Sequence, residues 1–350
     1  MTAAPAERPA VLQLLAAAAP SDAVTDQALA LRAELRAAGI PSAIAAQHVD
    51  DRLRGAVVQL DRAPAGVPIL LRYSIWSDAA ERALRGTERL AVVYHNITPP
   101  SLIGTGNPAV AALCERGRRE LPRVAARAQV LIADSTYNAD DLRAAGGTAV
   151  RVLPLLLDLP SPPAPSARGS NEVLYVGRLA PSKRVEDCID ALVLLRRRRP
   201  GAHLHLVGSG DAFPAYEAAL RRHARQSGVP EAVTFHGRVD DATRDRLYEQ
   251  AGAYLSLSEH EGFCVPVLEA MAHGLPVVAR DAGAVRETAG GGALLLPGRN
   301  AALAAAALDT VLGDAAVRAG IAANSRARLS ALDRSVVAPA FVSAVREILT

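Results

Sequence analysis

The stretch Tyr254–Glu287, YLSLSEHEGFCVPVLEAMAHGLPVVARDAGAVRE, decides the fold. It begins with a short apolar run, Tyr254–Leu257, which predicts a buried strand, and continues through the polar turn 258–262. A helix is predicted over Val265–His273, and the glycine and proline just after it end the helix. A second apolar run, Pro276–Ala279, predicts the next strand. This order of strand, turn, helix and strand is typical of an α/β protein with a parallel sheet.

Two glutamates in this stretch have the spacing of a ligand site. Glu261 lies just before the helix, and Glu269 follows eight residues later, about two turns along it. The N–H groups and the dipole at the start of a helix favour an anion, whereas carboxylates accept hydrogen bonds from neutral hydroxyls. A nucleotide sugar carries both phosphates and hydroxyls and fits this combination. The structural alternative is that Glu261 caps the helix and that Glu269 faces solvent.

The string 261–279, EGFCVPVLEAMAHGLPVVA, resembles the signature of the retaining glycosyltransferases of family 4. The fuller string Glu259–Pro266, with YHNITP at 94–99 and ADSTYN at 133–138, is most similar to the branch that builds O-antigen and other cell-surface polysaccharides. The resemblance implies the GT-B fold, in which two Rossmann-like α/β/α domains face each other across a cleft.

The same resemblance implies an activity. The expected enzyme is a hexosyltransferase that moves a hexose-type sugar from a nucleotide-diphosphate sugar to a hydroxyl acceptor. A GDP- or UDP-sugar is the expected donor, and the acceptor is a glycan, a lipid-linked glycan or a small metabolite. No permanently bound cofactor is expected, and no metal is required. Consistent with this, the sequence contains no Asp-x-Asp pair that would hold a divalent cation against a diphosphate.

The bulk properties narrow the class of protein. At 350 residues the chain is long for one core, which favours two domains. Aromatic residues make up only 3% and the net charge is +3, so no nucleic-acid partner is expected. The three cysteines, Cys114, Cys188 and Cys264, are far apart and suit a reducing compartment. No apolar run of about 18 residues predicts a membrane span, and a cytoplasmic location is expected.

The chain is predicted to divide into two α/β domains. Residues 1–9 read as a disordered tail, and residues 1–158 as the acceptor-side domain. The segment 159–170 contains four prolines and reads as a linker. Residues 171–335 then form the nucleotide-sugar-binding domain. The resemblance further implies that a C-terminal helix over 336–350 crosses back to the first domain.

Short apolar runs predict the strands of each domain. In the first half they are Val11–Ala17, Ile40–Ala45, Gly66–Leu71, Leu90–Tyr94, Val130–Asp134 and Thr148–Leu153. In the second half, before the opening stretch, they are Glu172–Val176, His203–Val207 and Val233–His236. Helical patterns lie between them, so both sheets are expected to be parallel and covered on both faces.

Two cations follow the strand Glu172–Val176 and are candidates for binding a diphosphate. The guanidinium of Arg178 can donate two parallel hydrogen bonds to a phosphate, and the ammonium of Lys183 supplies a compact positive charge. The resemblance assigns the same role to both, and a catalytic role in stabilising the leaving diphosphate. The family usually has glycine after the lysine, where this chain has Arg184, so a slightly different loop is expected.

The resemblance implies further contacts to the donor. Glu261 is expected to bind the sugar hydroxyls and Glu269 the ribose hydroxyls, while Val239 lies where backbone groups read the base. The remaining candidate nucleotide-sugar contacts are Gly208, Gly262, Phe263, Cys264 and Val265. The motif Gly208-Ser209-Gly210 lacks a third glycine, so by itself it is weak evidence of a dinucleotide site.

In the first half, His95 is expected to line the donor-sugar pocket as a further candidate catalytic residue. A lone histidine is more often structural, but this one directly follows a strand. Asn96 and Asp22 are the acceptor-side candidates. The loop 18–23 lacks the glycine that many family members have, and this departure concerns the acceptor side rather than the fold. The basic set Arg116, Arg118, Arg119 and Arg123 is by default a solvated helix face, and a peripheral membrane contact is its functional alternative.

Other functions stay open at this point. One is a phosphorylase, a sugar-nucleotide hydrolase or an epimerase with the same fold, which would release or convert the sugar without an acceptor. Another is a nucleotide-sugar-binding protein that lacks transfer activity. A Rossmann dehydrogenase is disfavoured because no GxGxxG fingerprint is present.

Overall fold

A computed structural model describes residues 8–160 and 170–350. Most of the predicted N-terminal tail and of the predicted linker therefore lies outside the described residues. The chain folds into two compact units. The first unit comprises Met1–Ile97, Ala112–Asp158 and Leu332–Thr350, and the second comprises Thr98–Ala111 and Leu159–Ala331.

The first unit contains a seven-stranded sheet in the order β3-β2-β1-β4-β5-β6-β7. All of its paired strands are parallel. The strands are β1 Val11–Ala18, β2 Ser42–Val49, β3 Val58–Gln59, β4 Ile69–Tyr73, β5 Leu90–Tyr94, β6 Val130–Ala133 and β7 Arg151–Val152. The central strands β4 and β5 are buried at every residue, as expected for a parallel sheet with both faces covered.

The described part of this unit contains five α-helices: α1 Ala23–Ala37, α2 Asp78–Arg85, α3 Pro108–Arg127, α4 Thr136–Ala144 and the C-terminal α12 Arg334–Arg346. One face of the sheet forms a core with α1 and α12, to which Leu31 and Phe341 contribute. On the other face, the hydroxyl of Tyr73 donates to the backbone oxygen of Gly117 in α3 at 2.7 Å. Helices therefore cover both faces. Most of α3 lies here, although its first residues belong to the second unit.

The second unit contains a six-stranded parallel sheet in the order β10-β9-β8-β11-β12-β13. The strands are β8 Glu172–Val176, β9 His203–Val207, β10 Val233–Gly237, β11 Ala253–Ser256, β12 Val277–Arg280 and β13 Ala293–Leu296. The helices are α5 Val185–Leu195, α6 Pro214–Gln226, α7 Asp241–Gln250, α8 Val265–Ala272, α9 Val285–Ala289, α10 Ala301–Gly313 and α11 Ala315–Ala331. Apolar residues of β8, β9, α5 and α10 share one large core.

Several predicted boundaries differ from the structure for identifiable reasons. The strand predicted from Gly66 begins at Ile69, because Pro68 has no N–H to give to the ladder. The strand predicted from Ile40 begins at Ser42, directly after another proline, and runs on to Val49. The two-residue strand β3 has exposed side chains, so no apolar run indicates it.

Candidate functional site

The strand orders place a topological switch point in each sheet. In both, the first strand in sequence lies in the interior, the next two strands add on one side, and the fourth adds on the other. In the second unit the topological switch point lies between β8 and β11. The loops that follow these two strands start at the same edge of the sheet and lead away in opposite directions. Ligands of open parallel sheets bind at this point, outside the carboxyl ends of the strands. The loop after β8 carries Arg178 and Lys183, and the loop after β11 carries Glu261.

Lys183 and Glu261 meet directly at this switch point. The ammonium Nζ donates to both carboxylate oxygens at 2.7 Å, and the side chains are only 18% and 10% exposed. Burial alone would raise the pKa of the Glu261 carboxyl, but Lys183 and a hydrogen bond from Ser258 outweigh burial and hold that pKa below its usual value. Two residues expected to bind different parts of one ligand thus form a buried ion pair.

Backbone hydrogen bonds connect the neighbouring loops to each other. The N–H of Glu259 donates to the Ser182 oxygen at 2.8 Å, which ties the loop after β11 to the loop after β8. The N–H of Leu179 donates to the Ser209 oxygen at 3.0 Å, which adds the loop after β9. Gly208 is required in that loop, because a Cβ there would lie 2.0 Å from the Gly177 oxygen. The loops that carry the candidate residues are therefore held as one rigid set.

The two arginines of the loop after β8 differ in their surroundings. Arg178 is exposed, and within residues 8–160 and 170–350 no carboxylate forms an ion pair with its guanidinium. Arg184 adopts a left-handed backbone with φ of +51°, the conformation that favours glycine. Its side chain lies 3.3 Å from Glu186 and 3.8 Å from Glu259. The loop thus keeps the turn that a glycine would give and adds a cation to it.

Helix α8 begins shortly after the turn 258–262, which carries Glu261. Cys264 is the N-cap with φ of +75°, and the first N–H groups of a helix have no partner within the helix. Burial, followed by the neighbouring Glu261 carboxylate, raises the pKa of the Cys264 thiol well above its usual value. The Phe263 oxygen accepts from the Thr288 hydroxyl. Gly262 and Val265 flank these residues, so the candidate amides lie together at one helix end.

Gly283, in the loop after β12, packs against the same turn. A Cβ at Gly283 would lie only 2.2 Å from the backbone oxygen of Glu261, and Gly283 has a left-handed backbone with φ of +56°. The next residue, Ala284, donates its N–H to that oxygen at 2.9 Å. The backbone of Glu261 is therefore fixed from a third loop.

Glu269 faces α7 from the middle of α8. Its carboxylate accepts from the Tyr248 hydroxyl at 2.9 Å and lies 4.0 Å from Arg244. Burial raises the pKa of the Glu269 carboxyl above its usual value, although Arg244 and Tyr248 oppose the shift. Across the described residues, no hydrogen bond or ion pair joins Glu269 to Lys183. Val239 is partly buried in the loop after β10, on the same edge of the sheet.

In the first unit, the three candidates follow strands β1 and β5. Nδ1 of His95 lies 2.7 Å from Oδ2 of Asp134, which follows β6, and both side chains are almost completely buried. Asn96 has φ of +66° and donates to Asn138 at 2.8 Å. Asp22 caps α1 by accepting from the N–H and the hydroxyl of Thr25. In the part of the chain that the structure describes, no hydrogen bond joins Asp22 to His95 or Asn96.

The loop before Asp22 lacks glycine but retains a glycine-like backbone. Ser21 has φ of +58°, in the left-handed region. The absent glycine therefore does not prevent the tight turn at the end of β1.

The basic set on α3 is partly occupied by intramolecular contacts. Arg116 lies 4.3 Å over the ring of Trp76 and 3.1 Å from Glu81. Arg118 donates to the Ile97 oxygen at 2.8 Å. Arg123 lies 3.6 Å from Glu120 on the same helix, whereas Arg119 is exposed.

Two absences hold for the part of the chain that the structure describes. Its histidines, cysteines and carboxylates form no group of three that could hold a metal ion. None of its helices combines the length and the apolar character needed to cross a bilayer.

The residues around this switch point match a known protein family. Residues 162–328 match the family model described as Glycosyl transferases group 1. This match spans slightly less than half of the chain and is a similarity to that family. It contains both cations of the loop after β8 and both glutamates of the pair.

Two curated relatives are similar over part of the chain. The glycogen synthase of Mycobacterium tuberculosis is 36% identical over 164 residues, which cover 46% of this chain and 39% of that protein. The GDP-mannose-dependent alpha-mannosyltransferase of the same species is 34% identical over 237 residues, covering 63% of this chain and 55% of that protein. The chain thus spans about two fifths to about half of the length of these relatives.

Solved structures extend the likeness to the whole fold. The structure of Anabaena Alr3699/HepE in complex with UDP and glucose superposes with a TM-score of 0.77. It is 19% identical in sequence, and the match covers 97% of this chain and 100% of that chain. Together with the two parallel sheets, this likeness shows that the chain has the GT-B fold.

The candidate site residues did not include four residues that contact them: Ser258, Asp134, Tyr248 and Arg244. The string 133–138, which contains Asp134, was noted for its resemblance and for its place at the end of a strand, but the contact of Asp134 with His95 was not predicted. Tyr248 and Arg244 lie in a helix of weak amphipathic pattern, and their contact with Glu269 arises only from the packing of α7 on α8.

Proposed function

We propose that the chain is a retaining, metal-independent glycosyltransferase that moves a hexose-type sugar from a nucleotide-diphosphate sugar to a hydroxyl acceptor. The observation that carries this proposal is the buried pair of Lys183 and Glu261 at the switch point, within the segment that is similar to group 1 glycosyltransferases. The ammonium of Lys183 can bind a phosphate of such a donor, and the neighbouring carboxylate of Glu261 can accept hydrogen bonds from the hydroxyls of its sugar.

The geometry suggests how these groups share the donor. An ammonium has three N–H donors, and the carboxylate engages Lys183 through two oxygens, so a further N–H can serve a phosphate oxygen. Exposed Arg178 supplies a fork of donors to the same diphosphate. Both cations stabilise the negative charge that develops as the diphosphate leaves. Glu261 keeps lone pairs for the sugar hydroxyls, and Glu269 accepts from the ribose.

The donor class follows from the same chemistry, with UDP- and GDP-sugars as the candidates. One relative is named for GDP-mannose, and one neighbouring structure contains UDP and glucose. Among the described residues at the switch point, we assign no side chain the role of a covalent nucleophile. We therefore propose that the acceptor attacks on the face from which the diphosphate leaves, with that phosphate assisting deprotonation. The acceptor is a glycan, a lipid-linked glycan or a small metabolite.

Calorimetric titration with UDP, GDP, dTDP and ADP, in the presence of EDTA, tests the proposal. One diphosphate is expected to bind in the micromolar range, and Arg178→Ala and Glu269→Ala should each weaken it by about tenfold or more. Arg222→Ala, which removes an exposed arginine from α6, serves as the matched control and should bind normally. Absence of binding by every nucleotide would refute the proposal.

The preferred donor is then offered with candidate acceptors, and the anomeric configuration of the product is read by NMR. Retention of configuration is expected. Release of free sugar without an acceptor would instead indicate a hydrolase. Donor binding without transfer to any acceptor would indicate a binding protein.

A further inference from the structure

The arginine that follows Lys183 carries more than its backbone position requires. Arg184 is the N-cap of α5 and has a left-handed backbone with φ of +51° and ψ of +44°, which a glycine adopts more readily. Its side chain is 22% exposed. A long charged side chain is costly to order in partly buried surroundings unless it interacts there. Three carboxylates, from α5 and from the loop after β11, surround it: Glu186, Asp187 and Glu259.

The guanidinium of Arg184 contacts these carboxylates through charge rather than through hydrogen bonds. One terminal nitrogen lies 3.3 Å from Glu186, and Nε lies 3.8 Å from both Asp187 and Glu259. Nε is buried and donates no hydrogen bond to any residue within 8–160 and 170–350. At these separations the attraction between opposite charges is several times stronger near a protein surface than in bulk water. The positive charge of Arg184 is therefore the property that its surroundings use.

Two of the three carboxylates have other partners. Asp187 accepts two hydrogen bonds from Arg299, at 2.8 Å and 2.9 Å. Glu186 accepts a hydrogen bond from a tyrosine hydroxyl of α6. For Glu259, by contrast, Arg184 is the one cation among the described residues that forms an ion pair with its carboxylate. Glu259 thus depends on Arg184 for the compensation of its negative charge.

Glu259 is held close to the pair that the proposed function uses. Its backbone N–H donates at 2.8 Å to the oxygen of Ser182, the residue directly before Lys183. Glu261, two residues further on, accepts from the Lys183 ammonium through both carboxylate oxygens. A carboxylate at this place repels an incoming diphosphate when no cation compensates it. The affinity of the pair for an anion therefore depends on the charge state of its surroundings.

We propose that Arg184 is a positioning residue that acts through Glu259. Its charge neutralises the Glu259 carboxylate, so that the diphosphate group of a nucleotide sugar can approach Lys183 without repulsion. The inference rests on the proposed function, because that function supplies the diphosphate. It adds a reason for a cation at a position where the backbone favours glycine.

Calorimetric titration of the full chain, with the nucleoside diphosphate that the wild type prefers, tests the role of Arg184. Arg184→Gly keeps the left-handed turn and removes the charge, and its Kd should rise about tenfold at low salt. This difference should shrink at high salt, because ions screen the repulsion. Arg184→Lys should remain within about threefold of the wild type, because the charge is used and not the fork of donors.

A double variant separates an indirect from a direct role. When Glu259→Gln is added to Arg184→Gly, the carboxylate that had lost its partner is removed as well, and the affinity should return close to that of the wild type. If Arg184 contacted the phosphate itself, the double variant would bind as weakly as Arg184→Gly, and that result would overturn the proposal. In transfer assays Arg184→Gly should raise the KM for the donor about tenfold and leave kcat nearly unchanged, because the repulsion acts on bound donor and transition state alike.

Another ion-paired arginine provides the matched control. Arg221 pairs with Glu217 on α6, so Arg221→Ala should bind the diphosphate as the wild type does. Thermal unfolding is measured first for each variant. If Arg184→Gly is destabilised, Arg184→Asn replaces it, because asparagine tolerates a left-handed backbone.

The outcomes distinguish this inference from the proposed function. A wild-type Kd in Arg184→Gly, or a loss of affinity that does not depend on salt, would overturn the role of Arg184 alone. Failure of every nucleoside diphosphate to bind the wild type would overturn the proposed function, and the role of Arg184 with it.

Discussion

Replacing Lys183 by methionine tests whether the buried ion pair stabilises the second unit. Methionine keeps an unbranched side chain of similar length but removes the ammonium. In the wild type that ammonium donates to both oxygens of Glu261, and the two side chains are 18% and 10% exposed. The variant therefore leaves a buried carboxylate that keeps side-chain hydrogen bonds from the Ser258 hydroxyl and the Cys264 thiol but has lost its ammonium partner.

The expected loss follows from the burial of the pair. Breaking a buried ion pair by removing one partner costs about 3–5 kcal/mol. Since Lys183 retains 18% exposure, the lower end applies, about 3 kcal/mol. For a unit of this size each kcal/mol shifts Tm by roughly 2–4 °C, which gives a decrease of roughly 6–12 °C. The double variant Lys183→Met with Glu261→Gln removes both charges and should recover most of this loss.

The pH dependence has a defined sign. The folded-state pKa of Glu261 lies below its usual value of 4.5. The pair therefore contributes its full stability above pH 4.5, and that contribution is lost as the pH falls through the folded-state pKa. The difference between wild type and Lys183→Met should accordingly be complete at neutral pH and shrink in acid.

Urea unfolding followed by far-UV circular dichroism measures the loss. The single tryptophan, Trp76, lies in the first unit, so its fluorescence reports on that unit separately. Arg221→Met is the matched control, because its pair with Glu217 is 45% and 25% exposed and should cost less than about 1 kcal/mol. A loss below about 1 kcal/mol for Lys183→Met, or strictly additive effects in the double variant, would refute the reasoning.

Three further changes have defined outcomes. Burial raises the pKa of the Glu269 carboxyl, so ionisation of this group destabilises the folded state as the pH rises through its folded-state pKa. Glu269→Gln should therefore be more stable than wild type at neutral pH in thermal unfolding. In calorimetry the same variant should bind nucleotide less tightly. Arg184→Gly should stay within about 0.5 kcal/mol of wild type, whereas Arg184→Val should lose about 1–2 kcal/mol in urea unfolding, because φ is +51°. Burial and neighbouring imidazoles lower the folded-state pKa of His203 and His236, so the free energy of unfolding should fall as the pH drops below 6.5. In the double variant His203→Gln with His236→Gln, the free energy of unfolding should depend less on pH over this range.

The strands that the sequence predicted best are short segments rich in apolar residues that are followed by glycine or a polar residue. Leu90–Tyr94, Glu172–Val176 and His203–Val207 have the predicted bounds. The edge strand Val58–Gln59 has two exposed residues and carries no such signal. Its existence depends on pairing with a neighbour, Ala45 and Ala46 of β2, which no local pattern encodes.

For the candidate site, the sequence allowed candidate residues to be chosen but did not predict which of them are in contact. Residues that end parallel strands could be located because the strands themselves were recognisable. The pairing of Lys183 with Glu261 joins positions 78 residues apart, and that of His95 with Asp134 joins positions 39 apart. Which strand ends become neighbours depends on the strand order, and strand order is a tertiary property that composition and periodicity do not contain.

Backbone strain points to the same loops as the side-chain chemistry. In the described chain, the residues other than glycine with positive φ are Ser21, Asn96, Ala149, Arg184 and Cys264. All but Ala149 lie in loops that carry candidate ligand residues, at the carboxyl ends of strands. Each costs roughly 1–2 kcal/mol, which a protein retains only where the surroundings determine the conformation. A glycine would relieve that backbone cost but would add freedom to the unfolded chain, so the two effects nearly offset each other. The Arg184 cation and the Cys264 thiol therefore add side-chain chemistry beside Lys183 and Glu261 at little net cost in stability.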